Sequence, residues 1–63
     1  MTRQELIAKA EEQLQYTLEQ ATIYNSETWA RSGLAQLTML DYLLNEEYEG
    51  YSNWFEKFMA YVK

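Results

Sequence analysis

The chain has 63 residues, with no cysteine, no histidine, no proline and only two glycines. The lack of cysteine excludes a disulfide. A structural zinc site is not expected either, because zinc is bound mainly by cysteine and histidine. A chain of this length buries only about 60% of its unfolded surface, so small domains usually depend on such supports or on oligomerisation. Dense apolar packing or a second chain must therefore supply the stability of this one.

The same absences argue against catalysis, because histidine is the commonest general base and cysteine the best thiol nucleophile. The two glycines form no phosphate-binding loop. Two carboxylate pairs exist, Glu11 with Glu12 and Glu46 with Glu47. Adjacent residues point about 100° apart on a helix, so neither pair is a preorganised acid–base couple. The sequence predicts a protein that is not an enzyme and uses no cofactor or metal.

Positive charge is scarce as well, with five basic residues against ten acidic ones and a net charge of −5. Direct binding to nucleic acid or to an anionic membrane is not expected, because both need a basic face. The opening residues lack the apolar segment of a secretory signal. The most apolar stretch, residues 33–44, is too short to span a membrane and contains Asp41. We therefore expect a cytoplasmic protein.

Apolar residues are plentiful, at 48% of the chain, and 16% of the residues are aromatic. This composition is unlike that of disordered chains, and it predicts one small helical domain over residues 1–63. Thr2 and Glu5 form a capping-box pattern. From Leu6 to Tyr24 apolar residues recur at helical spacing in a stripe about 120° wide, typical of a helix with one buried face. The first helix is expected over about 3–24.

Residues 22–28 are weak helix formers, which favours a tight turn over one continuous helix. Asn25 is the expected cap of a second helix over about 26–49. Gly50 then stands where a left-handed residue commonly follows a helix, and Asn53 is the expected cap of a third helix over about 53–62. The predicted fold is all-α, a long helical hairpin with a short C-terminal helix.

The stretch GLAQLTMLDYLL, residues 33–44, is apolar around most of the helix. A helix apolar on nearly all sides is buried on nearly all sides. One long and one short neighbour are not expected to enclose it, and a large exposed apolar patch marks an interaction site. We expect a helical-bundle homodimer with its two-fold axis near the second helix. The alternative is a monomeric three-helix bundle. The predicted dimer contacts are Leu34, Leu37, Met39, Leu40, Leu43 and Leu44.

Two further groups are candidates for contact with another protein. One is an apolar pair on the charged face of the first helix, and scattered exposed apolar residues of this kind also occur without function. The other combines an acidic run with aromatic residues around Gly50, the kind of group enriched in binding hot spots. Its simpler interpretation is a solvated helix end beside core aromatics. The candidates are Tyr16, Ile23, Glu46, Glu47, Tyr48, Glu49, Tyr51 and Trp54.

The leading functional hypothesis is a non-catalytic protein-interaction module, a small regulator or inhibitor that docks on a larger protein. Small acidic chains without cofactors are frequent among phage and mobile-element products, although this is an association and not a physical argument. One alternative is an acidic mimic of nucleic acid that blocks a DNA- or RNA-binding protein. Another is a small chaperone or assembly subunit that covers an apolar helix of its partner.

Overall fold

The computed structural model describes residues 2–45 and 48–62. These residues form three α-helices: α1 is Arg3–Tyr24, α2 is Glu27–Leu44 and α3 is Tyr51–Met59. The predicted all-α class, with two long helices and one short one, is confirmed. The described part of the chain contains no helix that is both long enough and apolar enough to cross a membrane.

Helix α1 begins where the capping pattern predicted. Thr2 has an extended backbone, and its hydroxyl oxygen accepts a hydrogen bond from the Glu5 backbone N–H at 3.1 Å. This bond satisfies one of the donors that the first turn of a helix leaves free. Leu14, Thr17 and Ala21 form the buried line of the helix.

The turn between α1 and α2 is tight, as predicted, but Asn25 has a different role from the one expected. It is the left-handed residue that ends α1, with φ 47° and ψ 50°. Ser26 caps α2 instead, because its side-chain oxygen accepts from the Trp29 backbone N–H at 3.4 Å. Asn tolerates the left-handed region better than other residues with a side chain, so it can end one helix just before the next begins.

Helix α2 is shorter than predicted, ending at Leu44 instead of Glu49. Asn45 adopts the left-handed conformation, with φ 53°, and its N–H donates to the Tyr42 carbonyl at 3.2 Å. The role expected of Gly50 therefore belongs to Asn45, and Gly50 itself has φ −83°. Glu46 and Glu47 lie outside the described residues.

Helix α3 begins two residues before the predicted Asn53, which lies inside the helix. Gly50 occupies the capping position, and no side chain caps this end. The Gly50 carbonyl instead accepts from the Trp54 N–H at 3.1 Å, within the first turn. The helix ends at Met59, short of the predicted end near residue 62.

The core joins all three helices and the segment before α3. Phe58 is fully buried, and its ring lies directly over Gly33 of α2. A Cβ atom added to Gly33 would stand 2.3 Å from Phe58 Cε1, so glycine is required at this close approach. Helix α3 packs mainly against α2. The buried apolar residues are Leu14, Ala21, Ala30, Leu37, Leu40, Tyr48 and Phe58.

Candidate interaction surface

An open groove runs between α1 and α2, with a volume of about 440 Å³. We call it the α1–α2 groove. The nine described residues that line it come from α1 and α2, so α3 does not close this side of the hairpin. None of these nine residues is charged, although charged residues make up 24% of the chain. The lining is Leu6, Ala10, Gln13, Ser32, Ala35, Gln36, Met39, Leu40 and Leu43.

Three of the predicted dimer contacts line this groove. Met39 and Leu43 are large apolar residues that are 57% and 56% exposed. Leu40 also borders the groove, but only 2% of its surface is exposed. Met39 and Leu43 are therefore available to another polypeptide without any rearrangement of the fold.

The other predicted dimer contacts pack within the single chain. Leu37 is fully buried, and like Leu40 it belongs to the core that joins α1 to α2. Leu34 and Leu44 are partly buried against the same core. Helix α2 is therefore sheltered by its own chain over a larger part of its circumference than its sequence predicted. Leu37 and Leu40 are not accessible to a second chain in this fold.

A side-chain hydrogen bond joins α1 to α2 beside the groove. Thr17 is buried in α1, and its single hydroxyl proton is shared between the Gln13 carbonyl oxygen at 2.9 Å and the Gln36 side-chain oxygen at 3.1 Å. This bond satisfies a polar group that would be costly to bury alone. It also joins Gln36, one of the lining residues of the groove, to α1.

Tyr48, predicted as a partner contact, belongs to the core. It is only 5% exposed, and its hydroxyl donates to Glu11 Oε2 at 2.6 Å and accepts from Trp54 Nε1 at 3.2 Å. Burial, and then the hydrogen bond to the Glu11 carboxylate, raise the pKa of Tyr48 to about 12, while the Trp54 bond acts in the opposite direction. Tyr48 thus links α1 to α3 and is not free to bind a partner.

The remaining candidates near Gly50 divide between surface and interior. Glu49 is exposed, while Tyr51 and Trp54 are partly buried. Tyr51 stacks on Phe55, and Trp54 stacks on Phe58 with ring centroids 6.2 Å apart. The two acidic residues that complete this group, Glu46 and Glu47, are outside the described residues. Among the described members of this group, the acidic residue is exposed and the aromatic rings are at least partly buried.

Tyr16 and Ile23 are exposed on α1, at 53% and 68%. Tyr16 makes an edge-to-face contact with Trp29 of α2, with ring centroids 6.2 Å apart. It also borders a shallow acidic surface lined by Ala8, Glu11, Glu12, Gln15, Glu19 and Trp54. Ile23 borders a second depression near the end of α1, which shares Gln15 and Glu19 with the first surface.

The apolar pattern of the sequence did not indicate the α1 side of the groove or the small residues of α2. Leu6, Ala10 and Gln13 of α1 follow helical spacing, but Leu6 and Ala10 belong to the apolar stripe that the spacing predicts to be buried. Ser32 and Gln36 are polar, so the apolar pattern of α2 does not include them. A spacing of three and four residues from Ser32 through Ala35 and Met39 to Leu43 marks this uncharged line in the sequence.

The described residues contain no group of three acidic side chains placed to hold a metal ion. Comparison of the chain with protein-family models, with curated proteins and with solved structures finds no match.

Proposed function

We propose that this chain is a non-catalytic protein-interaction module that acts by covering an apolar helix with its α1–α2 groove. The observation that carries the proposal is the groove itself: an uncharged, open surface with two large apolar side chains more than half exposed. Contiguous apolar surfaces on small soluble proteins commonly mark sites of protein contact. In this role the chain is a small regulator or inhibitor.

Two kinds of occupant fit such a groove. One is an amphipathic helix of a larger protein, which lays its apolar side chains between two helices. This includes the assembly role, in which the chain shields a helix of another subunit. The other is a second copy of the same chain, which gives the homodimer expected from the sequence. Both need the same exposed side chains, so both are sensitive to a charge at Met39 or Leu43.

The experiment compares capture of binding proteins by the wild-type chain and by a groove variant. Met39→Lys places a charge inside the groove at a half-exposed position, where the fold should tolerate it. Ile23→Lys is the matched control, because it makes a similar change at an exposed position outside the groove. We expect the first change to abolish capture and the second to leave it intact. If every interaction survives Met39→Lys, the groove is not the contact surface.

The acidic surface on α1 supports the second candidate, a mimic of nucleic acid. Glu11, Glu12 and Glu19 lie along one shallow surface, outside the groove. Binding through exposed carboxylates weakens steeply with salt, because the charges are screened within about 10 Å at 0.1 M. The substitutions Glu12→Gln and Glu19→Gln together should then remove binding while Met39→Lys leaves it intact. The opposite pattern is expected of the proposed module.

A further inference from the structure

We infer that the occupant of the α1–α2 groove is a second copy of this chain, packed with its α2 antiparallel to the first. The inference rests on the proposed function, since it names the partner of the same groove. Two α1–α2 hairpins joined in this way complete a four-helix bundle, with α3 on the outside of each half. Such a bundle covers the side of each hairpin that α3 leaves open.

The distribution of charge favours a second copy. The chain carries a net charge of −5, so two copies repel each other unless they meet through an uncharged face. The described lining of the groove is such a face. The acidic surface formed around Glu11, Glu12 and Glu19 lies outside it and stays in water when two grooves meet. A basic partner is expected to choose the acidic surface and leave the groove empty.

The shape of the groove is self-complementary in the antiparallel orientation. Bulky side chains, Met39 and Leu43, occupy the half nearer the end of α2. Small side chains, Ser32 and Ala35, occupy the half nearer its start. An antiparallel pair with its two-fold axis near residue 37 places each bulky half against the small half of the other copy. A parallel pair instead sets bulky against bulky and leaves a gap between the small halves.

The size of the chain limits the interface to that of a small dimer. The described chain measures 34 by 17 by 15 Å. The largest face that these dimensions allow has a flat area of about 580 Å², so contact between two copies buries at most roughly 1,200 Å², close to the ~1,000 Å² expected of a specific interface. The inferred dimer is thus small and should dissociate on dilution.

The first test is the mass in solution, measured by light scattering after size exclusion at micromolar concentration and above. The wild-type chain should reach twice its 7.6 kDa. Met39→Lys should raise the dissociation constant by roughly tenfold or more, the change that 1.4 kcal/mol produces. Ile23→Lys should leave it unchanged. Circular dichroism shows whether each variant is folded. A folded wild-type chain that stays at 7.6 kDa at the highest concentration overturns the inference.

The second test uses disulfide crosslinking to determine the orientation of the two α2 helices. The chain contains no cysteine, so only the introduced cysteines can form a disulfide. A disulfide needs Cα atoms less than about 7 Å apart. In the antiparallel pair, a mixture of the Ser32→Cys and Leu43→Cys variants should form a mixed disulfide, and each variant alone should not. If Leu43→Cys instead forms a disulfide with itself and no mixed disulfide appears, the two helices are parallel and the inference is overturned.

The two proposals fail in different ways. If the chain is monomeric but Met39→Lys still abolishes capture of another protein, the second copy is excluded and the groove remains an interaction site. If the chain forms a dimer that Met39→Lys does not weaken, the groove is excluded from self-association, and the inference fails. If Met39→Lys changes neither the mass nor any captured protein, both proposals fail.

Discussion

The two sides of the α1–α2 hairpin differ in what covers them. On one side Phe58 of α3 lies over Gly33 and is fully buried. On the other side Met39 and Leu43 belong to the same apolar helix, yet more than half of each side chain faces solvent. All three are large apolar residues, and they differ in exposure because α3 packs on one side of the hairpin and contributes no residue to the groove on the other. A second polypeptide that binds gains the most free energy on this uncovered apolar side.

The largest expected effect lies on the covered side. Phe58→Ala removes a fully buried ring and should lower the free energy of unfolding by about 3–5 kcal/mol. Denaturant unfolding followed by circular dichroism measures the loss. Phe55→Ala, the truncation of a ring that is 40% exposed, is the control and should cost clearly less. Equal losses for the two variants would mean that α3 does not discriminate its two faces, contrary to the packing described here.

A smaller loss is expected from overfilling the same contact. Gly33→Ala adds a methyl group where the Phe58 ring already lies within 2.6 Å of the added atom, so stability should fall by about 1–3 kcal/mol. Replacing the ring by a smaller side chain should relieve this clash. Phe58→Leu is therefore expected to cost less in the Gly33→Ala background than in the wild type, as a double-mutant cycle measures. Additive losses would show that the two positions are not in contact.

The Tyr48 hydroxyl links α1 to α3 through hydrogen bonds, and its removal should have a moderate effect on stability. Tyr48→Phe should lower stability by about 1–2 kcal/mol at neutral pH, because it removes a hydrogen bond to a carboxylate. The pKa of Tyr48 is raised from 10.0 to about 12, so the folded state holds its proton more tightly than the unfolded state. Its contribution is complete below pH 10 and is lost as the pH rises through 12.

Unfolding of the wild type and of Tyr48→Phe should therefore be compared between pH 9 and 12. The difference in stability between the two chains should shrink over this range. Tyr42→Phe, a change at a residue that is 79% exposed, should behave like the wild type. A difference that is independent of pH would contradict the raised pKa.

The smallest effect is expected on the open side. Leu43→Ala should change the stability of the dilute chain by less than about 0.5 kcal/mol, since the side chain is half exposed. Leu37→Ala is the matched change of a buried leucine in the same helix, and it should cost about 2–5 kcal/mol. At high protein concentration, where a second copy covers the groove, the cost of Leu43→Ala should grow. A cost that does not depend on concentration would count against the inferred dimer.

The local features of the fold could be predicted because they depend on neighbouring residues. Thr2 caps α1 through a contact three residues away, and the break near Asn25 follows from weak helix formers. The predicted end of α2 was wrong because the sequence contains two residues that are able to end a helix, Asn45 and Gly50. Glycine has the higher preference for the left-handed region, yet Asn45 adopts it here, and this shortens α2 by five residues.

The candidate surface was less predictable, because periodicity shows that a residue is apolar but not what covers it. Leu37 and Leu43 both belong to the apolar part of α2, and only the packing of α1 and α3 separates the buried residue from the exposed one. Tyr48 was expected at the surface beside acidic residues. Its contact with Glu11 spans thirty-seven positions of the chain, and no local pattern indicates it.

The sequence by itself determined that the chain is all-α and contains no cysteine or histidine. It also determined that the second helix carries more apolar surface than a small domain can readily bury. These properties follow from composition and from helical spacing, which are local. Only the tertiary structure decided which side of that helix is buried. Phe58 packs closely on Gly33, so α3 lies on one side of the α1–α2 hairpin. The uncharged α1–α2 groove on the other side stays open.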